Sequence, residues 1–157
     1  MIQIDFYILG ENSHRDINQM VCRLCEKALD QEMNVLIYTK SPAQAQQLDD
    51  LLWTFKANSF IAHKDLVNDP EADTSFFYPV LISAGTATDE TVVGETQRVF
   101  ARYKQLLINL TAERPAFFKQ FERIAEMVGN NNDEKKIARN RYRSYRQEGY
   151  TLNKYDL

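Results

Sequence analysis

The spacing of apolar residues changes several times along the chain, and each change marks an element. Residues 2–9 form a nearly continuous apolar run rich in β-branched and aromatic side chains, which predicts a strand. From Ile17 the apolar positions Met20, Val21, Leu24 and Ala28 recur at helical intervals, the stripe of an amphipathic helix over residues 16–31. Residues 34–38 are again continuously apolar, as in a strand buried on both faces. Ser41 and Pro42 then supply a helix cap and a favoured first helical residue, and Ala45, Leu48, Leu52 and Phe55 continue the stripe of a second helix. A short strand near 59–62 is followed by a polar loop over 64–75 and by apolar runs at 80–83 and 105–110, with room for a helix between them at 95–103. Pro115 opens a predicted helix carrying Phe117, Phe121, Ile124 and Val128, ended by Gly129 and the asparagines Asn130, Asn131 and Asn132. The last predicted helix covers about 133–147.

Strands alternating with helices predict a three-layer α/β/α sandwich with a mainly parallel central sheet, Rossmann-like in its layering. A length of 157 residues, 44% of them hydrophobic, suits a single domain over 1–157 with the C-terminal helix as part of it. No apolar run approaches the roughly 20 residues of a membrane helix. The opening residues MIQIDFYILG lack the basic start and small-residue cleavage site of a signal peptide, so a cytoplasmic location is expected.

The fold class hosts many nucleotide enzymes, but the residues such chemistry needs do not occur together here. The turn after the first strand, from Gly10 through Glu11 and Ser13 to His14, has no glycine-rich phosphate loop, and Glu11 would repel a phosphate. Ser13 and His14 do not form a nucleophile elbow. Asp49 and Asp50, about 100° apart on a helix, read as its solvated face. Cys22 and Cys25 make a C-x-x-C, yet they sit in the middle of a helix, whereas a redox pair opens one. A zinc site would need His14 and His63, at distant and unpatterned positions. No cofactor, metal or catalytic residue is therefore expected.

Charge changes the picture at the C-terminus. Lys135, Lys136, Arg139, Arg141, Arg143 and Arg146 occur with no acidic residue among them, in a chain of net charge −3. Setting those six aside leaves 13 Lys+Arg against 22 Asp+Glu, so the remainder carries −9 and repels a polyanion. Taking about 100° per residue from Lys135, Arg146 falls at about 20°, Arg139 at about 40°, Arg143 at about 80° and Lys136 at about 100°. Tyr142 borders this arc at about 340°, while Ile137 at about 200° and Tyr145 at about 280° are free to face the body. Two readings stand at this point: a solvated basic face, or a site for an acidic peptide or a phosphate. Trp53 also has two readings. It points away from the stripe of its helix, either as an anchor for a partner, with Phe55, Phe60 and Ile61 following, or under a covering loop after Lys64.

Two stretches of the chain resemble a known family, the chi subunit of bacterial DNA polymerase III. They are Leu48-Asp-Asp-Leu-Leu-Trp53 with Ser59-Phe60-Ile-Ala-His63, and Ala138-Arg-Asn-Arg-Tyr-Arg-Ser-Tyr-Arg146 with Gly149-Tyr-Thr-Leu-Asn153. Phe6-Tyr-Ile-Leu9 fits as well, and residues 86–103 look longer than the family's usual connection. The resemblance implies a non-catalytic accessory of the clamp loader that pairs with the psi subunit and grips the acidic C-terminal tail of single-stranded DNA-binding protein (SSB) during DNA replication. It implies tail contacts at Val128, Lys135, Arg139, Tyr142 and Arg143, with Arg139 on the terminal carboxylate. The implied psi contacts are Trp53, Phe60 and His63. The alternatives are a small nucleotide-binding α/β enzyme and a direct nucleic-acid binder acting through the basic helix.

Overall fold

The computed structural model describes residues 2–10, 16–54, 61–68, 78–84 and 101–157. Seven strands form one sheet: β1 (Gln3–Ile8), β2 (Val35–Thr39), β3 (His63–Asp65), β4 (Val80–Ala84), β5 (Leu106–Asn109), β6 (Arg123–Val128) and β7 (Thr151–Asp156). Their spatial order is β3-β4-β2-β5-β6-β1-β7, and every pairing is parallel. Among the described residues three helices cover the sheet: α1 (Ile17–Asp30), α2 (Pro42–Thr54) and α3 (Asn132–Gln147).

Strand alternation divides the core into two layers. Val35, Ile37, Val80, Ile82, Ile108 and Met127 face α1 and α2, whose Val21, Cys25, Ala45 and Leu48 pack onto them. Leu36, Tyr38, Leu81, Leu107, Ile124 and Val128 point the other way, toward Ala138 and Tyr145 of α3 and toward Phe118 and Phe121. The central strands are covered on both faces, which is why their sequences read as unbroken apolar runs. The three-layer α/β/α architecture expected from the alternation of elements is the one observed.

Local chemistry sets the helix starts. Asp16 caps α1 by accepting from the Asn18 N–H at 3.3 Å, and Ser41 Oγ accepts from the Gln44 N–H at 3.1 Å ahead of Pro42. The third helix is likewise capped by Asn131, which accepts from the Glu134 N–H at 2.7 Å.

Three expectations change. The helix predicted after Pro115 is instead a single 3₁₀ turn, Phe118–Gln120, followed by strand β6. The alternating four- and three-residue spacing of Phe117, Phe121, Ile124 and Val128 arises because Phe121, Ile124 and Val128 share one sheet-face core with Phe118, while the intervening Ala125 and Met127 serve the opposite layer. Glu126 interrupts the apolar run and hides the strand from a periodicity reading. Of the short strand expected at 59–62, residues 59–60 lie outside the described residues; β3 runs three to four residues later and pairs with β4 through His63, Lys64 and Asp65. Strand β7, with the polar sequence TLNKYD, was not anticipated; it forms because β1 offers an open edge. Gly149, at φ 86°, turns the chain from α3 into it. The helix considered at 95–103 falls mostly outside the described residues, of which 101–102 form a turn and Tyr103 is buried.

Among the described residues no helix is long and apolar enough to cross a membrane. Both cysteines are buried in the α1 layer, and burial pushes the Cys22 thiol up to about 12 and the Cys25 thiol well above its usual value. A thiol reagent at neutral pH is expected to leave both unmodified in the native protein and to label them only as denaturant unfolds it. Rapid labelling without unfolding would restore the redox or metal reading of the C-x-x-C.

Candidate functional site

The basic C-terminal helix divides its cations between two jobs. Ala138, Arg141 and Tyr145 form its buried side, so Arg141 turns inward and away from the other five. Arg141 Nε donates to Glu126 Oε2 at 2.9 Å and its Nη1 donates to the Ala112 carbonyl at 3.0 Å. Glu126, at the middle of β6, also accepts from Tyr145 Oη at 2.7 Å and from Asn109 Nδ2 at 2.8 Å. The carboxyl is fully buried; desolvation pushes its pKa up, and Arg141 with these donors opposes the shift. Ile137, which the helical wheel allowed to face the body, is 40% exposed, because the helix is rotated to bring Arg141 to Glu126.

Outside that face, a groove of about 620 Å³ runs between α3 and the sheet. Four of the five arc cations, Lys135, Arg139, Arg143 and Arg146, line it, while Lys136 does not. Tyr142 and Val128 line it too. All five positions that the family resemblance marked for tail binding therefore share one concave surface. Val128 is 2% exposed at the end of β6, and Tyr142 meets the Phe6 ring edge-on at 5.4 Å. The remaining wall comes from residues that sequence reasoning did not single out: Phe6 and Ile8 of β1, and Lys154 and Asp156 of β7. Alternation along 2–9 was a usable signal for Phe6 and Ile8, which share a strand face. Nothing marked Lys154, since its strand was not foreseen.

Among the described residues, Arg114, Arg123 and Arg141 each have a carboxylate partner, in Glu148, Asp5 and Glu126. Among the described residues no such partner lies within ion-pairing distance of Lys135, Arg139, Arg143, Arg146 or Lys154. The groove thus combines an apolar floor with cations left unneutralised, an arrangement complementary to an acidic ligand carrying an apolar group.

The other marked region lies at the opposite edge of the sheet. Trp53, near the end of α2, is 56% exposed, as its position off the apolar stripe predicts, and its ring meets that of buried His63 at 5.0 Å. His63 Nδ1 donates to the Ile61 carbonyl at 2.7 Å. Its Nε2 stands 2.9 Å from Asp49 Oδ1, at ion-pairing distance but not aligned as a hydrogen bond. Asp49 is therefore engaged with His63 and is not merely part of a solvated face. Phe60, Phe55, Ser13 and His14 lie outside the described residues. Six inter-strand steps separate β3 from β7, roughly 29 Å, so the two regions do not touch.

The crevice at the carboxyl ends of the strands, where a doubly wound fold usually binds its ligand, is a cavity of about 490 Å³ lined by the protein's own helix caps. The caps Asp16, Ser41 and Asn131 meet there, and the Glu134 carboxylate occupies the space above Gly129. Two carboxylates at helix starts disfavour a phosphate in this place.

The division of labour on α3 has a measurable consequence. Arg141→Ala is expected to lower unfolding stability by about 3–5 kcal/mol by stranding Glu126, whereas Arg139→Ala should change it by less than about 0.5 kcal/mol. Urea denaturation of the two variants compares them, and similar losses would contradict the separation.

Comparison with known proteins shows which family the chain belongs to. The profile of the family described as DNA polymerase III chi subunit, HolC, matches residues 1–153. A DNA polymerase III subunit chi from Pseudomonas aeruginosa is 34% identical over 157 residues, covering 100% of this chain and 98% of that protein. The Haemophilus influenzae subunit chi is 31% identical over 147 residues, covering 94% of this chain and 92% of its own. The Escherichia coli subunit chi is 27% identical over 152 residues, 94% of this chain and 93% of its own. With a profile match over residues 1–153 and relatives aligned over nearly their whole length, the chain belongs to the DNA polymerase III chi-subunit family.

Proposed function

We propose that this chi-family chain is a non-catalytic accessory of the polymerase, working in the cytoplasm, that binds psi on one edge of its sheet and the acidic C-terminal tail of SSB on the other. The single observation that carries the tail reading is the groove beside α3, where unpaired cations surround an apolar floor. Arg139 takes the terminal carboxylate in a charge-assisted pair, and Val128 and Tyr142 hold the terminal apolar side chain. Lys135 and Arg143 attract the acidic residues that precede it. Family membership motivates the psi assignment of Trp53, Phe60 and His63, and the exposed Trp53 ring supports it as an interface anchor. Holding both partners at once raises the local concentration of polymerase at coated single strands without any chemistry.

A direct nucleic-acid binder using the same cations is the second reading, favoured by their clustering on one helix. It differs in what it needs: bare single strands would suffice, and the tail would be dispensable. A balance of −9 on the rest of the chain argues against a long polyanion.

Calorimetric titration with a peptide of the host SSB tail is expected to show saturable binding that weakens with added salt. Arg139→Ala should cost about 2–4 kcal/mol of tail affinity and leave psi pairing intact. Trp53→Ala should do the reverse, losing psi in a co-purification or titration while keeping the tail. Equal damage to both activities by either substitution would sink the two-site picture, and undiminished binding to SSB lacking its tail would favour the second reading.

A further inference from the structure

Resting on the tail reading above, we propose that β7 forms a second charged wall of the groove, in which Lys154 grips acidic residues of the incoming peptide and Asp156 fixes the direction in which the peptide lies. The register sets the wall. Lys154 pairs with Phe6 and Asp156 with Ile8 along the parallel β1–β7 ladder. Strand alternation puts Leu152, Lys154 and Asp156 on the α3 side, where Leu152 packs in the core of that layer. The other residues of the strand face away: Asn153 donates to Asp5 Oδ1 at 2.9 Å, and Tyr155 stacks on Tyr7 at 5.2 Å.

Because α3 follows the carboxyl end of β6 and leads back to the start of β7, it runs against the direction of the strands. Lys135 therefore lies toward the Asp156 end of the groove, and Arg143 and Arg146 toward the Lys154 end. Lys154 stands beside Phe6, the ring against which Tyr142 rests. The Lys154 half of the groove is thus cationic on both walls. In the other half, Asp156 opposes Lys135 about 6.6 Å farther along the strand. Neither Lys154 nor Asp156 has an ion-pair partner among the described residues.

A peptide with one apolar end group and a run of carboxylates before it meets two unequal halves. With the end group on Val128 and Tyr142, Lys135 attracts the carboxylate nearest it, the rest of the acidic run is drawn along Arg143, Arg146 and Lys154, and Asp156 disfavours a run that continues the other way. The two β7 residues would thus make the site selective for an acidic segment that ends, and disfavour one that passes through.

The test is titration of the full chain with a short synthetic peptide of consecutive aspartates before a C-terminal phenylalanine with a free carboxylate. Lys154 is exposed on an edge strand, so its replacement leaves the fold intact. Lys154→Ala is expected to weaken binding about two- to fivefold and to flatten its salt dependence, and Asp156→Asn to tighten it about two- to fivefold. Lys154→Glu should bind a peptide with lysine in place of the aspartates better than the unmodified chain does. If Lys154→Ala and Asp156→Asn both bind like the unmodified chain while Arg139→Ala loses the peptide, the β7 wall takes no part and the inference falls, with the tail reading standing. If the unmodified chain does not bind the peptide at all, the tail reading falls and takes this inference with it.

Discussion

The contact on which the groove depends is the buried pair between Glu126 of β6 and Arg141 of α3. A carboxylate removed from water in the middle of a sheet is costly unless charge and hydrogen bonds replace its hydration, and here Arg141, Tyr145 and Asn109 replace it. Three residues of the helix and strand are thereby tied to one rotation of α3. That rotation decides which basic residues are structural and which face solvent. Arg141 goes in; Lys135, Arg139, Arg143 and Arg146 are left on the rim of the groove. The aromatic packing of Tyr145 against Phe6 and Phe118, at 6.2 Å and 5.4 Å, reinforces the same rotation.

The sheet adds a constraint of a different kind. Because all its pairings are parallel, every strand starts at the same end, and β7 after α3 must return across the layer to pair with β1. This return turns the helix and the sheet edge into the two sides of a groove. The other edge, at β3, carries the Trp53 and His63 contact. Two surfaces at opposite edges of one sheet can be occupied together, as the proposed two-partner role requires.

The helices were legible in the sequence because their information is local. The stripe from Ile17 to Ala28 placed α1 to within a residue, and Ser41 with Pro42 marked the start of α2. The outward direction of Trp53 and the shared arc of Arg139, Arg143 and Arg146 followed from helical geometry alone. β6 was misread for an equally definite reason: a strand buried on both faces has no period of two, and Glu126 broke the run that would have revealed it. The polar β7 carried no strand signal. Ile137 could be allowed to face the body because a helical wheel gives relative angles and not the absolute rotation, which Glu126 supplies from another element.

What the sequence by itself determined were the elements whose side chains report their own environment: the buried central strands, the amphipathic helices with their caps, and one local reversal of charge. Only the tertiary structure decided that Arg141 belongs to the core, that Val128 sits on a strand beneath Tyr142, and that Phe6, Ile8, Lys154 and Asp156 complete the groove. Each of these depends on a contact between residues far apart in the chain, such as the pairing of β1 with β6 and β7 or the 15-residue separation of Arg141 from Glu126. A pattern read along the chain carries no term for such pairings, because their energy exists only once the sheet has formed.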